Sequence, residues 1–255
     1  MNANEILKDL RAAVKGEKTE LDISEILYSH RCHFLIIRRP EWKMYSCAAA
    51  EIQLNKICVA ERYKVISPVL SAFDEEDIKY AVIKGAPLSL AAYKDTSLRL
   101  SGDIDLLIRR RDIDRVKSIM LQAGFIQGRV TGEGIKPFSR RELLFQTGLS
   151  HQTAPFVCRR KNPLCPYVNA DINTDIMWGE SDIKADMELV LSKTKREIIC
   201  GAEISRLEPP MEFISLCTHH YKDMNSIYLL AERGFRLDLL TDILFYLKNT
   251  APNAE

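Results

Sequence analysis

Apolar side chains recur at helical spacing from residue 3 to about 77, as in Ile6, Leu7, Leu10 and Val14 and again in Ile66, Val69, Leu70 and Phe73, the periodicity of amphipathic helices. This pattern predicts a helical N-terminal segment over residues 1–77. Asp74-Glu-Glu-Asp77 interrupts it, and Tyr80-Ala-Val-Ile83 follows as an apolar run of strand length ending at Lys84-Gly85. Pro87 suits the first turn of a helix reaching about Tyr93, where its missing N–H has no intrahelical partner to lose. Asp103-Ile-Asp-Leu-Leu-Ile108 reads as a second strand, and Asp112 as the N-cap of a helix with Ile113, Val116, Met120 and Ala123 inward and Gly124 as its stop.

Between about 125 and 178 the pattern shortens. Leu143-Leu-Phe145, Ala154-Pro-Phe-Val157 and the stretch from Tyr167 to Trp178, separated by Gly, Pro and basic residues, are expected as further strands of one sheet. From about 182 helical spacing returns, and after Pro209-Pro210 it dominates through Phe213, Ile214 and Cys217 and then Leu237, Leu240, Leu244 and Leu247. The expected division is a helical segment over 1–77, an α/β core over 78–180 and a mainly helical segment over 181–255.

Composition narrows the function classes. The 36 Lys+Arg nearly balance the 35 Asp+Glu, which argues against a dedicated polyanion binder. No uncharged run approaches the 18 or more residues of a spanning helix, and the N-terminus has no apolar h-region, so a cytoplasmic protein without a membrane partner is expected. The seven cysteines are scattered and never spaced C-x-x-C, the pattern of reduced thiols. Cys158 and Cys165 with His151 match no common structural zinc spacing.

The informative chemistry lies in Ser101-Gly102-Asp103-Ile104-Asp105. Carboxylates at i and i+2 of a strand point to the same face, where like charges repel unless a divalent metal or a cation compensates them. Magnesium suits such a pair, because it takes one or two protein carboxylates together with substrate phosphates. Upstream, an apolar strand runs into Lys84-Gly85-Ala86 and a helix start, and helix N-termini favour phosphate. Lys84 and Arg99 can each add a positive charge.

Val82-Ile83-Lys84-Gly85-Ala86, Tyr93, Arg99 and Gly102-Asp103-Ile104-Asp105-Leu106-Leu107-Ile108 resemble the signature of a bacterial nucleotidyltransferase-like family within the polymerase-β-like superfamily. Gly124-Phe125, Asp175-Ile-Met-Trp178, His219 and Leu240-Thr-Asp242 extend the likeness. The resemblance implies an α/β (α+β) fold, a polymerase-β-like mixed sheet with flanking helices and a C-terminal helical bundle. It also implies Mg²⁺- or Mn²⁺-dependent transfer of a nucleoside monophosphate from an NTP, such as ATP, to a hydroxyl or phosphate acceptor. Asp103, Asp105 and Asp175 would then be the catalytic metal ligands, with Asp171 an alternative third carboxylate, and Lys84, Gly85, Ala86 and Arg99 would bind the nucleotide. Met177 stands where the family usually has His, and Ala86 where better-studied relatives have Ser.

The basic segment from Arg129 to Lys161 carries a local charge of +5 and suits either a solvated loop or a polyanionic acceptor. His219-His220 fall on an amphipathic helix, where histidines commonly serve packing. The acceptor remains open between a small molecule, a peptide or protein, and tRNA, the last two being the province of toxin-like or natural-product-tailoring enzymes. A catalytically inactive nucleotide-binding scaffold is the reading from another class.

Overall fold

The structure is a computed structural model that describes residues 3–149, 152–177, 181–225 and 236–250. Four helices open the chain: α1 (Ala3–Lys15), α2 (Ser24–Ser29), α3 (His33–Ile36) and the long α4 (Tyr45–Glu75). The apolar face of α4, with Val59, Ile66, Val69, Leu70 and Phe73 buried, covers one face of a mixed six-stranded sheet. That sheet contains β1 (Tyr80–Ile83), β2 (Asp103–Ile108), β3 (Ile126–Thr131), β4 (Gly134–Pro137), β5 (Phe156–Arg159) and β6 (Tyr167–Asn173), in the order β1-β2-β6-β5-β3-β4. Only β2 and β6 run parallel.

Helix α5 (Gly85–Tyr93) follows β1 directly, and α6 (Ile113–Gln122) follows β2. α6 stops at Gly124, whose φ of +85° is open to glycine at no steric cost. Asp112 precedes α6 without capping it through its side chain. Its carboxylate instead accepts from Arg109 Nε at 2.7 Å and Arg115 Nη1 at 3.4 Å. Ala123, expected inward, is exposed.

Two further expectations are corrected. Leu143-Leu-Phe145 belongs to helix α7 (Arg140–Leu149), because Ser139 and Glu142 close a capping box: Glu142 N donates to Ser139 Oγ at 3.3 Å and Ser139 N donates to Glu142 Oε2 at 2.7 Å. The C-terminal segment also contains a β-hairpin, β7 (Thr194–Ile199) and β8 (Ala202–Leu207), between α8 (Met187–Ser192) and α9 (Pro209–Met224). Its turn residues Cys200 and Gly201 have φ of +50° and +80°, the paired positive values of a tight two-residue hairpin turn. The hairpin packs beside β1.

The sheet has two unlike faces. Ile104, Leu106, Ile108, Ala170 and Ile172 enter the core under α4 and α6. The alternate residues Asp103, Asp105, Asp171 and Asn173 occupy the other face. Ala81, Ile83 and Leu107 on that face pack against Val190, Leu191 and Leu207. A separate cluster joins α1–α3 to α5, α9 and the last helix, α10 (Leu237–Thr250), through Leu27, Phe34, Leu35, Leu88, Leu216 and Phe245. The carboxylates thus lie on the open part of a rigid sheet, with α5 and α9 at its border.

Candidate active site

The turn from β1 into α5 sets one side of the site. Lys84 has φ +57° and ψ −147°, a strained conformation for a residue with a side chain and of the kind that persists only where the surroundings hold it. Its Nζ donates to Asp105 Oδ1 at 3.0 Å. Gly85 continues at φ +46°, and no side chain caps the first N–H groups of α5.

β2 and β6 supply the carboxylates. In their parallel register Asp103 lies opposite Asn169 and Asp105 opposite Asp171, so the three aspartates share one face. Asp105 is buried and also accepts from Asn173 Nδ2 at 3.2 Å. Burial, then the neighbouring Asp105 charge, raises the Asp103 pKa, opposed by Lys84, Arg99 and Arg62. Burial and the charges of Asp103 and Asp105 push Asp171 up to about 7, opposed by Lys84 and Lys222. Lys84 thus touches one of three mutually repelling carboxylates, with Arg62, Arg99 and Lys222 acting on the group through space. Among the described residues no group of three or more His, Cys, Asp or Glu is placed to hold a metal ion by itself. The donor set is instead the open, all-oxygen kind that Mg²⁺ shares with phosphates and water.

Asp175 is off the strand but beside the site, lining a small cleft with Lys84 and Asn173. β6 ends at Asn173, and the Asp175 carboxylate accepts from Met177 N at 2.8 Å and Ala185 N at 3.4 Å, closing a local turn. The expected four-residue face from Asp171 to Met177 is therefore cut short, and Trp178 lies outside the described residues.

Arg99 approaches the site but is held by α10. Its Nε donates to Asp242 Oδ2 at 2.8 Å, and Tyr93 Oη donates to Asp242 Oδ1 at 2.6 Å. His220 Nε2 stands 3.1 Å from the same carboxylate. Burial pushes the Asp242 pKa up, but Arg99, His220 and Tyr93 outweigh it and bring the carboxyl down to about 2. His220 is thus a packing histidine, as its helix face suggests. His219, one residue earlier, lines a small cleft with Lys84, Asn173, Asp175, Thr218 and Lys222. Burial and the cations Lys84, His220, Arg99 and Lys222 hold its pKa well below the usual imidazole range.

The basic segment is partly paired, Arg129 with Glu142 within it and Arg160 with Glu61 on α4. Its strands β3 and β4 lie at the far edge of the sheet, separated from β6 by β5. Among the described residues no helix is long and apolar enough to cross a membrane.

Sequence reasoning overlooked Arg62 on α4, whose Nη1 donates to Ser101 Oγ at 3.3 Å. The available signal was an arginine on the apolar face of α4, beside Val59, Tyr63 and Ile66.

The model of a family described as uncharacterised nucleotidyltransferase matches residues 17–255. No curated protein matches the chain. Among solved structures, an antigenic nucleotidyltransferase-like protein from Paracoccidioides brasiliensis is similar with TM-score 0.43 and 15% identity, covering 74% of this chain and 76% of that one. ANT(2")-Ia in complex with adenylyl-2"-tobramycin is similar with TM-score 0.42 and 11% identity, covering 74% of this chain and 88% of the other.

Proposed function

The chain belongs to the uncharacterised nucleotidyltransferase family, and from that premise we propose that it transfers a nucleoside monophosphate from an NTP to a hydroxyl or phosphate acceptor, with Mg²⁺ or Mn²⁺ held by Asp103, Asp105 and Asp171. The observation that carries this reading is the shared face of those three aspartates with Lys84 as their only direct ion-pair partner among the described residues. Three like charges on one face, with a single lysine in direct contact, form an unbalanced set, which a divalent ion and its phosphate ligands balance.

Asp171, from its place in the register, takes the role that the resemblance assigns to Asp175. When bound, the metal supplies charge neutralisation at the attacking and leaving oxygens. The protein's own groups do the rest. Lys84 and the uncapped start of α5 receive the phosphates, and the β2–β6 pairing fixes the carboxylates relative to that cradle. An acceptor oxygen attacks the α-phosphorus in line. A new P–O bond forms, the α–β bridging P–O bond breaks and pyrophosphate leaves with the bridging oxygen. The proton of an acceptor hydroxyl passes to a carboxylate oxygen of Asp171, which shares the face of Asp103 and Asp105.

Isothermal titration of each NTP with Mg²⁺ into the wild type and into Asp103→Asn/Asp105→Asn tests the reading. Metal-dependent binding abolished by the double substitution is expected, together with loss of pyrophosphate release by 10³-fold or more, on the order seen when electrostatic stabilisation of a transition state is removed. A folded wild type that binds no NTP would overturn the reading, and NTP binding without pyrophosphate release would move the weight to the inactive nucleotide-binding scaffold.

A further inference from the structure

The corner where α5, β2 and α4 meet holds a group of polar atoms that the proposed reaction has not yet used. The site that a Cβ on Gly85 would occupy lies 3.8 Å from the backbone oxygen of Asp103 and 3.9 Å from Ser101 Oγ. The Ser101 hydroxyl, the first turn of α5 and the start of β2 therefore share one small volume. The approach to β2 is fixed from below: Asn55 Nδ2 donates to the carbonyls of Ser97 at 2.7 Å and Arg99 at 3.0 Å, and Arg99 N donates to Ser89 Oγ at 3.0 Å.

Behind this corner stands Arg62, 7% exposed. A guanidinium is charged at any ordinary pH and presents five N–H donors. Among the described residues it forms no ion pair, and its buried Nε has no hydrogen-bond partner. Its charge acts on Asp103 through space, but a buried N–H donor without a partner is costly, so the arrangement has donor capacity left for a further anion. The Nη1–Ser101 bond also has a directional consequence. A hydroxyl carries one proton and two acceptor positions, and an oxygen that accepts from Arg62 keeps its own proton free to donate.

We propose that Ser101 and Arg62 complete the phosphate-binding end of the site, Ser101 Oγ donating to an oxygen of the bound triphosphate while Arg62 holds that hydroxyl as a donor and places a buried positive charge behind it. Ser101 is then a direct phosphate contact and Arg62 a positioning residue acting through it. The inference rests on the nucleotide-binding reading above and assigns the end of the site that recognises the phosphate chain.

The test is isothermal titration into the full-length wild type and its Ser101→Ala, Ser101→Thr and Arg62→Gln variants, with thermal melts confirming folding. The probes are Mg²⁺ with each NTP, the matching nucleoside monophosphate, and inorganic tripolyphosphate. Ser101→Ala is expected to weaken NTP and tripolyphosphate about tenfold, the loss of one hydrogen bond to a charged group. Ser101→Thr keeps the hydroxyl and should restore most of the affinity, and monophosphate binding should change less than about twofold on the same scale. Wild-type NTP binding with no change in Ser101→Ala would overturn this assignment and leave the transferase reading intact. Equal losses for mono- and triphosphate would overturn it as well, by placing the contact away from the phosphate chain. Absence of NTP binding to the wild type would remove both. Should Arg62→Gln not fold, the Ser101→Ala/Ser101→Thr pair decides alone.

Discussion

Two buried groups of charges lie near each other in this protein and are built on opposite principles. Around Asp242 one carboxylate meets Arg99, Tyr93 and His220. Around Asp103, Asp105 and Asp171 three carboxylates meet one lysine by direct contact. The first group is complete within the chain, and its carboxyl sits below the usual range, at about 2. The second is unbalanced, and burial with like-charge repulsion lifts Asp171 to about 7. A satisfied cluster ties elements together; an unsatisfied one is a site waiting for a ligand of opposite charge. Arg99 marks the boundary between them. The resemblance implies that it binds the nucleotide, and in the free protein its Nε also joins the Ser97–Ser101 loop to the C-terminal helix through Asp242.

Breaking the satisfied cluster should have the largest effect on stability. Asp242→Asn leaves the Arg99 guanidinium buried and without its counter-charge, which costs about 3 to 5 kcal/mol in such pairs. Chemical denaturation at pH 7 measures it. The wild type should also show the cluster in acid. Folding lowers the Asp242 pKa from its ordinary 3.8 to about 2, so its contribution is fully present above pH 4 and disappears as pH falls through 2. The amount is about 2 kcal/mol, and this acid-dependent part should be missing from Asp242→Asn. Equal acid sensitivity in both proteins would show that Asp242 is not the group responsible.

Relieving the unsatisfied cluster should do the reverse. The Asp171 pKa rises on folding from 3.8 to about 7. Between those values the folded protein keeps a proton that the unfolded chain has lost. Stability contributed by this carboxyl is therefore full below pH 4 and is lost as pH climbs through 7, by about 2 to 4 kcal/mol. Asp171→Asn should accordingly stabilise the metal-free protein at pH 8 and have little effect at pH 4, as followed by thermal melts in EDTA. Added Mg²⁺ should stabilise the wild type at pH 8 and the variant much less. A variant less stable than the wild type at pH 8 would mean that the aspartates do not strain one another.

Much of the nucleotide-facing frame was legible from the residues themselves. β1, α5 and β2 follow from apolar runs meeting glycine and proline, and the shared face of Asp103 and Asp105 from strand period alone. The rest depended on signals weaker than periodicity or on distant partners. The Ser139–Glu142 capping box turned an apolar triplet into helix, and the Cys200–Gly201 turn folded a hairpin within a stretch read as helical. Arg99 could be given its true partner only once α10 had docked, 143 residues further along the chain. Which aspartate lies on the strand face of Asp103 and Asp105 turned on where β6 ends. Alternation carried through to Met177 made Asp171 and Asp175 equivalent, whereas the chain leaves the ladder after Asn173.

That ending makes the smallest expected effect the sharpest comparison. The Asp175 carboxylate accepts two backbone N–H groups, from Met177 and Ala185, a task that an asparagine side-chain oxygen performs nearly as well. Asp175→Asn should therefore change stability by less than about 1 kcal/mol and leave pyrophosphate release within about threefold of the wild type. Asp171→Asn removes a charge from the face that receives the metal and should lower turnover by about 10² or more. The pair distinguishes the two aspartates without depending on the acceptor, provided both variants are assayed with the same one. The reverse ranking, with Asp175→Asn inactive and Asp171→Asn active, would make Asp175 the third carboxylate: both of its backbone partners bond Oδ1, so Oδ2 could turn toward the cleft that Asp175 lines with Lys84 and Asn173 while the local turn stays closed.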